Sequence, residues 1–239
     1  MNEHPSLFRQ LKQIYRRRRL TRAGVVESLN CSMQAVGEGS GAWMTRVDVL
    51  DNTSVVYSFG AGTDISFDLE LHHLTGAEVH IFDPTPRSVE WMRQQHLPDG
   101  VKFHEIGIAD HDGTISFHAP KRSSSSHFSP VVRYRDQQQA ETVEAPVARL
   151  STLADELKHE HVDLIKLDIE GGEYDVIADL VNNDYDIGQI LIEFHHAYAT
   201  IPLARTAEAV STLRTAGYEC FHISPRTYEL SFTRADHSY

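Results

Sequence analysis

The sequence predicts an α/β fold in which a mostly parallel, doubly wound sheet carries helices on both faces. Three observations predict it. Short β-rich runs alternate with helix-like stretches from Val55 to His104, and the alternation resumes from Val162 to Ala216. Strands separated by helical segments in this rhythm pair in parallel. A glycine pair, Gly60 and Gly62, directly follows the first strand and opens the first helix.

Taken in order, Ser6 to about Leu20 is expected to be helical, with Leu7, Leu11 and Ile14 on one stripe. Arg16, Arg17, Arg18 and Arg19 close it. Cations suit a helix C-terminus, and four charges give weak affinity for lipid, so a solvated helix end is expected, without stable membrane insertion. Val55–Phe59 is the first strand and Asp64 to Leu74 the helix after Gly60-Ala61-Gly62. Glu78–Phe82 is the second strand. Thr85-Pro86 then reads as a cap with proline in the first helical position, opening a helix through Gln95. Val101–His104 is the third strand.

The middle departs from this rhythm. Ile106 to Phe117, with Asp112-Gly113 as its turn, reads as a hairpin. Residues 118 to about 144 lack a period and read as a long mobile loop. Its Lys121, Arg122 and the serines to Ser126 would form a lid above the site, or a solvated polar loop. Thr152 and Asp155 stand at capping-box spacing and open a helix to about His159. Val162–Leu167 is a strand ending at Asp168, followed by a helix from about Gly172 to Val181 and a central strand, Gln189 to Phe194. A helix over Leu203–Ala216 stops at Gly217, and Tyr218–Ile223 with Tyr228–Thr233 form a closing hairpin.

Bulk properties exclude several classes. At 239 residues, 41% hydrophobic and 23% charged, the chain can bury a core. A formal net charge of −12 argues against a nucleic-acid partner, which needs clustered Lys and Arg. Cys31 and Cys220 show no metal spacing and fit free thiols in a reducing compartment. The N-terminus has no uninterrupted apolar run, so neither a signal peptide nor a membrane span is expected and a cytoplasmic location is.

The chemistry concentrates at strand ends. Gly60 and Gly62 let backbone approach a ligand closely, beside a helix N-terminus. Asp83 lies 23 residues past Gly60, near the spacing of about 20 for a carboxylate that grips ribose hydroxyls; its plainer role is to cap the helix at Pro86. Dinucleotide sites want a third glycine, where this chain has Ile65. S-adenosylmethionine (SAM) has no phosphate to cradle, so the loop leans toward SAM. Asp168, Glu170, Glu173 and, from the next strand, Glu193 gather acidic groups at the same sheet edge, where ligands of doubly wound sheets sit. Glu170 and Glu173 also simply suit a helix N-terminus.

The segments VVYSFGAGTDISFDLEL, VHIFDP, HEIGIADHDGTISF, LSTLADEL, DLIKLDIEGGEYDVI and ILIEFHH resemble the FkbM-type SAM-dependent methyltransferases over about Val55 to His196. The resemblance implies a Rossmann-like class I methyltransferase fold, a seven-stranded mostly parallel sheet with an antiparallel C-terminal hairpin strand. It divides the chain into an N-terminal helical and β extension, residues 1–50, and a SAM-dependent methyltransferase domain, residues 51–239. It implies methyl transfer to a hydroxyl of a sugar or other small metabolite. Gly60, Ala61 and Gly62 would then cradle the SAM amino-acid portion, Asp83 the ribose, Gly107 and Ile108 the adenine, and Asp168 would line the transfer site. Ser58 stands where the family usually has an acidic residue; Asp64 or Asp168 would replace that anchor.

Methyl transfer to oxygen needs a proton acceptor. The candidates are Asp168, Glu193, His195 and His196. The two histidines are neighbours after a strand, so one is expected to face the pocket and the other to pack. Asp168, Glu193 and His195 have metal-ligand chemistry, but such groups gather often by chance, and no metal is expected. Trp43 is expected in the core rather than on a sugar ring. Two other classes stay open: a nicotinamide-dependent oxidoreductase on a related fold, and a non-catalytic SAM-binding module, suggested by Ser58. Oxygen and nitrogen acceptors both remain open, as does the oligomeric state.

Overall fold

The computed structural model describes residues 7–119, 128–133 and 141–234. Helix α1 (Leu7–Arg22) leads to a short antiparallel pair, β1 (Gln34–Val36) and β2 (Trp43–Thr45). The alternating region follows as β3 (Val55–Phe59), α2 (Ser66–Thr75), β4 (Glu78–Phe82), α3 (Pro86–Met92) and β5 (Val101–His104). Next come β6 (Gly107–Ile108), β7 (Gly113–His118), β8 (Thr142–Ala148) and α4 (Leu150–Leu157). The chain continues through β9 (Val162–Leu167), α5 (Glu173–Asn182), β10 (Ile187–Glu193), α6 (Leu203–Thr215), β11 (Tyr218–Ile223) and β12 (Glu229–Arg234).

Among the described residues the main sheet has seven strands in the order β11-β12-β10-β9-β3-β4-β5. Neighbours from β10 to β5 pair in parallel, and β12 runs antiparallel between β10 and β11. The expected fold class is the one observed. Strand order reverses between β3 and β9, so a crevice opens at their C-terminal ends. Successive side chains alternate faces. Tyr57, Phe59, Ile165, Leu167, Ile190 and Ile192 face the layer built by α4, α5 and α6. Val56, Leu164 and Leu191 face the layer of α2 and α3, where Val36, Trp43 and Leu50 of the N-terminal segment join the same cluster.

The structure corrects the middle of the chain. The hairpin expected over Ile106–Phe117 does not form: β6 and β7 flank β8, parallel and antiparallel to it respectively. Part of the expected loop is therefore strand β8, and Ser129 bridges to His118. In β8 Thr142, Glu144 and Pro146 face solvent while Ala145 and Val147 are buried, and the small Ala145 and the proline give this alternation a faint strand signal. The lid residues Lys121 to Ser126, and His127, lie outside the described residues. Helix α3 ends at Met92 rather than Gln95, since Gln94 and Gln95 bond to carbonyls only three residues back and tighten the last turn. Helix α4 starts at Leu150, two residues before Thr152. Asp112, from a distant turn, accepts the Arg149 N–H (2.8 Å) and the Thr152 hydroxyl (2.9 Å) and does the capping.

Cys31 and Cys220 are free thiols. No helix among the described residues is long and apolar enough to cross a membrane.

Phe232 sits on β12 with 0% exposure, between β10 and β11. Replacing it with Ala is expected to cost about 3–5 kcal/mol, through lost burial and a cavity. Urea unfolding of Phe232→Ala measures this; a loss under about 1 kcal/mol would show that the β12 insertion is not part of the cooperative core.

Candidate active site

The glycine loop is held by contacts that tolerate no side chain. Gly60 has φ +91°, and a Cβ there would lie 1.9 Å from the carbonyl oxygen of Asp168. The ends of β3 and β9 therefore touch, and the loop and Asp168 share one crevice. The Gly62 N–H donates to Asp83 Oδ2 (3.0 Å). Asp83 Oδ1 accepts the Thr85 N–H (2.9 Å) and hydroxyl (2.6 Å). Asp83 is thus oriented on both oxygens, 5% exposed, at the cavity wall. Asp64 accepts the Ser66 N–H at 2.9 Å and so caps the start of α2 while lining the same cavity.

On the other side lies the acidic group. Asp168, Glu193 and His195 place one ligand-type atom each within 4.8 Å of one another. His195 Nε2 is 3.4 Å from Glu170 Oε2 and 3.8 Å from Asp168 Oδ1; its Nδ1 is 3.4 Å from Glu173 Oε1. These separations make the attraction chiefly electrostatic rather than hydrogen-bonded. Glu173, fully buried, accepts the backbone N–H of His195 and of Gly171, both at 2.9 Å. Glu170 takes Arg133 at 2.8 Å and the Tyr198 hydroxyl on one oxygen. Burial opposes a charged His195, but Glu173, Glu170 and Asp168 outweigh it and push its pKa up to about 10. His195 is therefore an imidazolium at neutral pH, a donor rather than a base.

Burial, with Asp168, Glu229 and Glu170 nearby, pushes the Glu193 carboxyl up to about 8, against the pull of His195. Glu193 stands directly opposite Glu229 across the β10–β12 pair, and Arg226 bonds to Glu229. His196 turns the other way. Its Nδ1 is 3.2 Å from the Thr206 hydroxyl and its ring packs on Tyr228. Burial, reinforced by Arg19, pushes His196 down to about 4.

One cavity of about 810 Å³ joins the two sides, within the about 300–1,000 Å³ typical of small-molecule sites. The loop from Gly60 to Asp64, Asp83, Gly107, Ile108, Asp168 and Glu193 all line it; His195 and His196 do not. Phe59, Phe82, Phe117 and Phe128 give it apolar walls.

The profile described as "Methyltransferase FkbM domain" matches residues 54–220. The chain belongs to this family. It is 27% identical over 143 residues to the Homo sapiens protein named "Probable methyltransferase-like protein 24", covering 59% of this chain and 32% of the relative. It is 29% identical over 114 residues to "2-O-methyltransferase NoeI" of Sinorhizobium fredii (strain NBRC 101917 / NGR234), covering 43% of this chain and 47% of that protein. The matched segments thus span less than half the length of either relative. The solved structure of methyltransferase FkbM from Methylobacillus flagellatus KT covers 77% of this chain and 44% of that one, at 14% identity and a TM-score of 0.45.

At the position where FkbM-type chains were expected to carry an acid, Ser58 is fully buried. Behind it lies Asp68 of α2, 1% exposed, which burial holds above the usual carboxylate range while Lys166 draws it back. Lys166 reaches the Gly60 carbonyl at 3.4 Å and lies over the Trp43 ring at 5.3 Å. Trp43 is in the core, as expected, and also lines the cavity. Sequence reading passed over Lys166, although a lone cation within the apolar run Leu164–Leu167 was a visible signal. It also missed Arg133 and Tyr198, which reach Glu170 from other segments.

These charges predict a stability maximum near pH 6.5. Above it, folded His195 (about 10) keeps a proton that the unfolded chain releases near 6.5, so stability falls toward pH 10. Glu193, raised from 4.5 to about 8, adds to the fall up to pH 8. Below pH 6.5, His80 and His196, both lowered from 6.5 to about 4, leave the unfolded state to take up more protons, and stability falls toward pH 4. Tm measured from pH 4 to 10 checks this; a steady rise from pH 7 to 9.5 would contradict the charge states of His195 and Glu193.

Proposed function

We propose that this chain is a SAM-dependent methyltransferase acting on a hydroxyl oxygen of a sugar or other small metabolite. The observation that carries the reading is a single cavity with the glycine loop and oriented Asp83 on one side and the Asp168–Glu193 carboxyl pair on the other. The residues present fit the cofactor. Of the about four acceptor positions of a carboxylate, Asp83 uses three and keeps one for a ribose hydroxyl. Ile108 and Phe82 offer an apolar slot for adenine beside Gly107. The Gly60–Gly62 backbone would take the amino-acid portion, with Asp64 or Asp168 near its ammonium.

Bound SAM supplies a methyl already activated by its sulfonium, so the protein has to orient the acceptor, exclude water and take one proton. Glu193 accepts that proton. Its pKa of about 8 lies close to working pH, where a general base contributes most. The His195 imidazolium, 3.8 Å from Asp168 and backed by Glu173, holds the neighbouring carboxylates in place and offsets their charge. The aromatic walls keep the reacting end dry. His196, packed away from the cavity, has no part in this scheme. The relative named a 2-O-methyltransferase supports oxygen as the acceptor, and the net charge of −12 suits a small acceptor better than a nucleic acid.

Calorimetric titration with SAM and with S-adenosylhomocysteine is expected to give micromolar binding, about −8 kcal/mol, weakened at least tenfold in Asp83→Ala. Absence of binding to either ligand would overturn the reading. Glu193→Gln is expected to keep SAM binding and lose about 10²–10⁴-fold in kcat on a hydroxylated acceptor found by screening. Wild-type kcat should rise with pH toward a plateau above about 8. Unchanged turnover in Glu193→Gln would instead favour a neutral amine as acceptor, which needs no base.

A further inference from the structure

We propose that Glu78, His80 and His159 form a binding site for a divalent transition ion of the zinc class, separate from the methyl-transfer cavity. The three residues come from two parts of the chain, the start of β4 and the turn between α4 and β9. They place one carboxylate oxygen and two imidazole nitrogens within 4.8 Å of one another. None of them lines the 810 Å³ cavity. Asp83 stands five positions after Glu78, just past the end of β4, roughly 16 Å at the rise of a strand.

Two imidazoles and one carboxylate are a ligand set of open zinc sites, with a fourth position left to water. Here the outer nitrogens are already committed in the manner of metal-bound histidines. His80 Nδ1 is 2.9 Å from His104 Nε2, and His159 Nδ1 is 2.8 Å from the Tyr57 hydroxyl. With an ion bound, each ring would donate Nδ1–H to its partner and turn its Nε2 lone pair to the ion. In the metal-free chain His80 instead donates Nε2–H to Glu78 Oε1 (3.0 Å) and accepts from His104 at Nδ1, so binding would move the ring proton from Nε2 to Nδ1.

The His80 ring stacks on His104 with centroids 5.1 Å apart and meets His159 edge-on at 5.0 Å. Access is from solvent, because the Glu78 side chain is 37% exposed. Lys102 pairs with Glu78 but is itself 56% exposed and can swing away. A bound ion would tie β4 to the α4–β9 turn, so its effect is on stability, with no part in methyl transfer.

The test is calorimetric titration of the untagged, chelator-dialysed full chain with ZnCl₂, with Tm measured beside it. One Zn²⁺ per chain is expected, in the micromolar range or tighter, together with a rise in Tm. His159→Ala and Glu78→Gln are expected each to weaken binding at least tenfold and to abolish the Tm rise, and Glu193→Gln to leave both intact. Glu78→Gln changes a half-exposed group and guards against a fold defect in His159→Ala. Absence of Zn²⁺ binding, unchanged binding in both cluster variants, or loss confined to Glu193→Gln would each overturn the proposal. The last result would place the ion at Asp168, Glu193 and His195, and the first would leave the cluster as a closed hydrogen-bond network.

Discussion

The contact between Gly60 and the Asp168 carbonyl is the constraint on which the rest of this structure depends. It forces the C-terminal ends of β3 and β9 together at the point where strand order reverses. With φ at +91° and no room for a Cβ, the chain turns sharply out of β3 and starts α2 beside Asp168. The Gly62 N–H then falls within reach of Asp83 at the end of β4. Three neighbouring strand ends are thereby locked into one wall, and the cavity is a consequence of that lock.

The opposite wall is governed by charge. Burying Asp168, Glu170, Glu173 and Glu193 near one another is costly unless cations compensate. His195 and Arg133 supply that compensation from two different segments, and Arg226 pairs with Glu229, the carboxylate opposite Glu193. Glu173 acts from beneath, since its carboxylate is spent on two backbone N–H groups and on His195. Glu193 is raised first by its burial and then by Asp168, Glu229 and Glu170, which together outweigh the pull of His195. The base of the proposed reaction is thus a buried carboxyl in a crowded acidic set.

Much of this was legible in the residues. The strands Val55–Phe59, Glu78–Phe82, Val101–His104 and Val162–Leu167 are short runs rich in β-branched and aromatic residues, and their boundaries are legible in the sequence. Asp83 and Asp168 were marked because they follow such runs, and the structure brings both to the cavity. Strand β8 was not legible. Its partners β6 and β7 lie 24 or more residues upstream, and its own pattern suits either a loop or an edge. The start of α4 was misplaced for a similar reason, its cap being Asp112 rather than a neighbour in sequence.

The sequence by itself determined the order of strands and helices, the glycine turn and the carboxylates at strand ends, because those follow from local periodicity and backbone sterics. It also carried the family, through short motifs at those same ends. Tertiary structure decided which way His195 and His196 face, which of the acidic groups is raised in pKa, and that Lys166, Arg133 and Tyr198 belong to the site. Those outcomes rest on desolvation and on charges tens of residues apart in the chain. Neither quantity exists until the sheet has formed and brought them together.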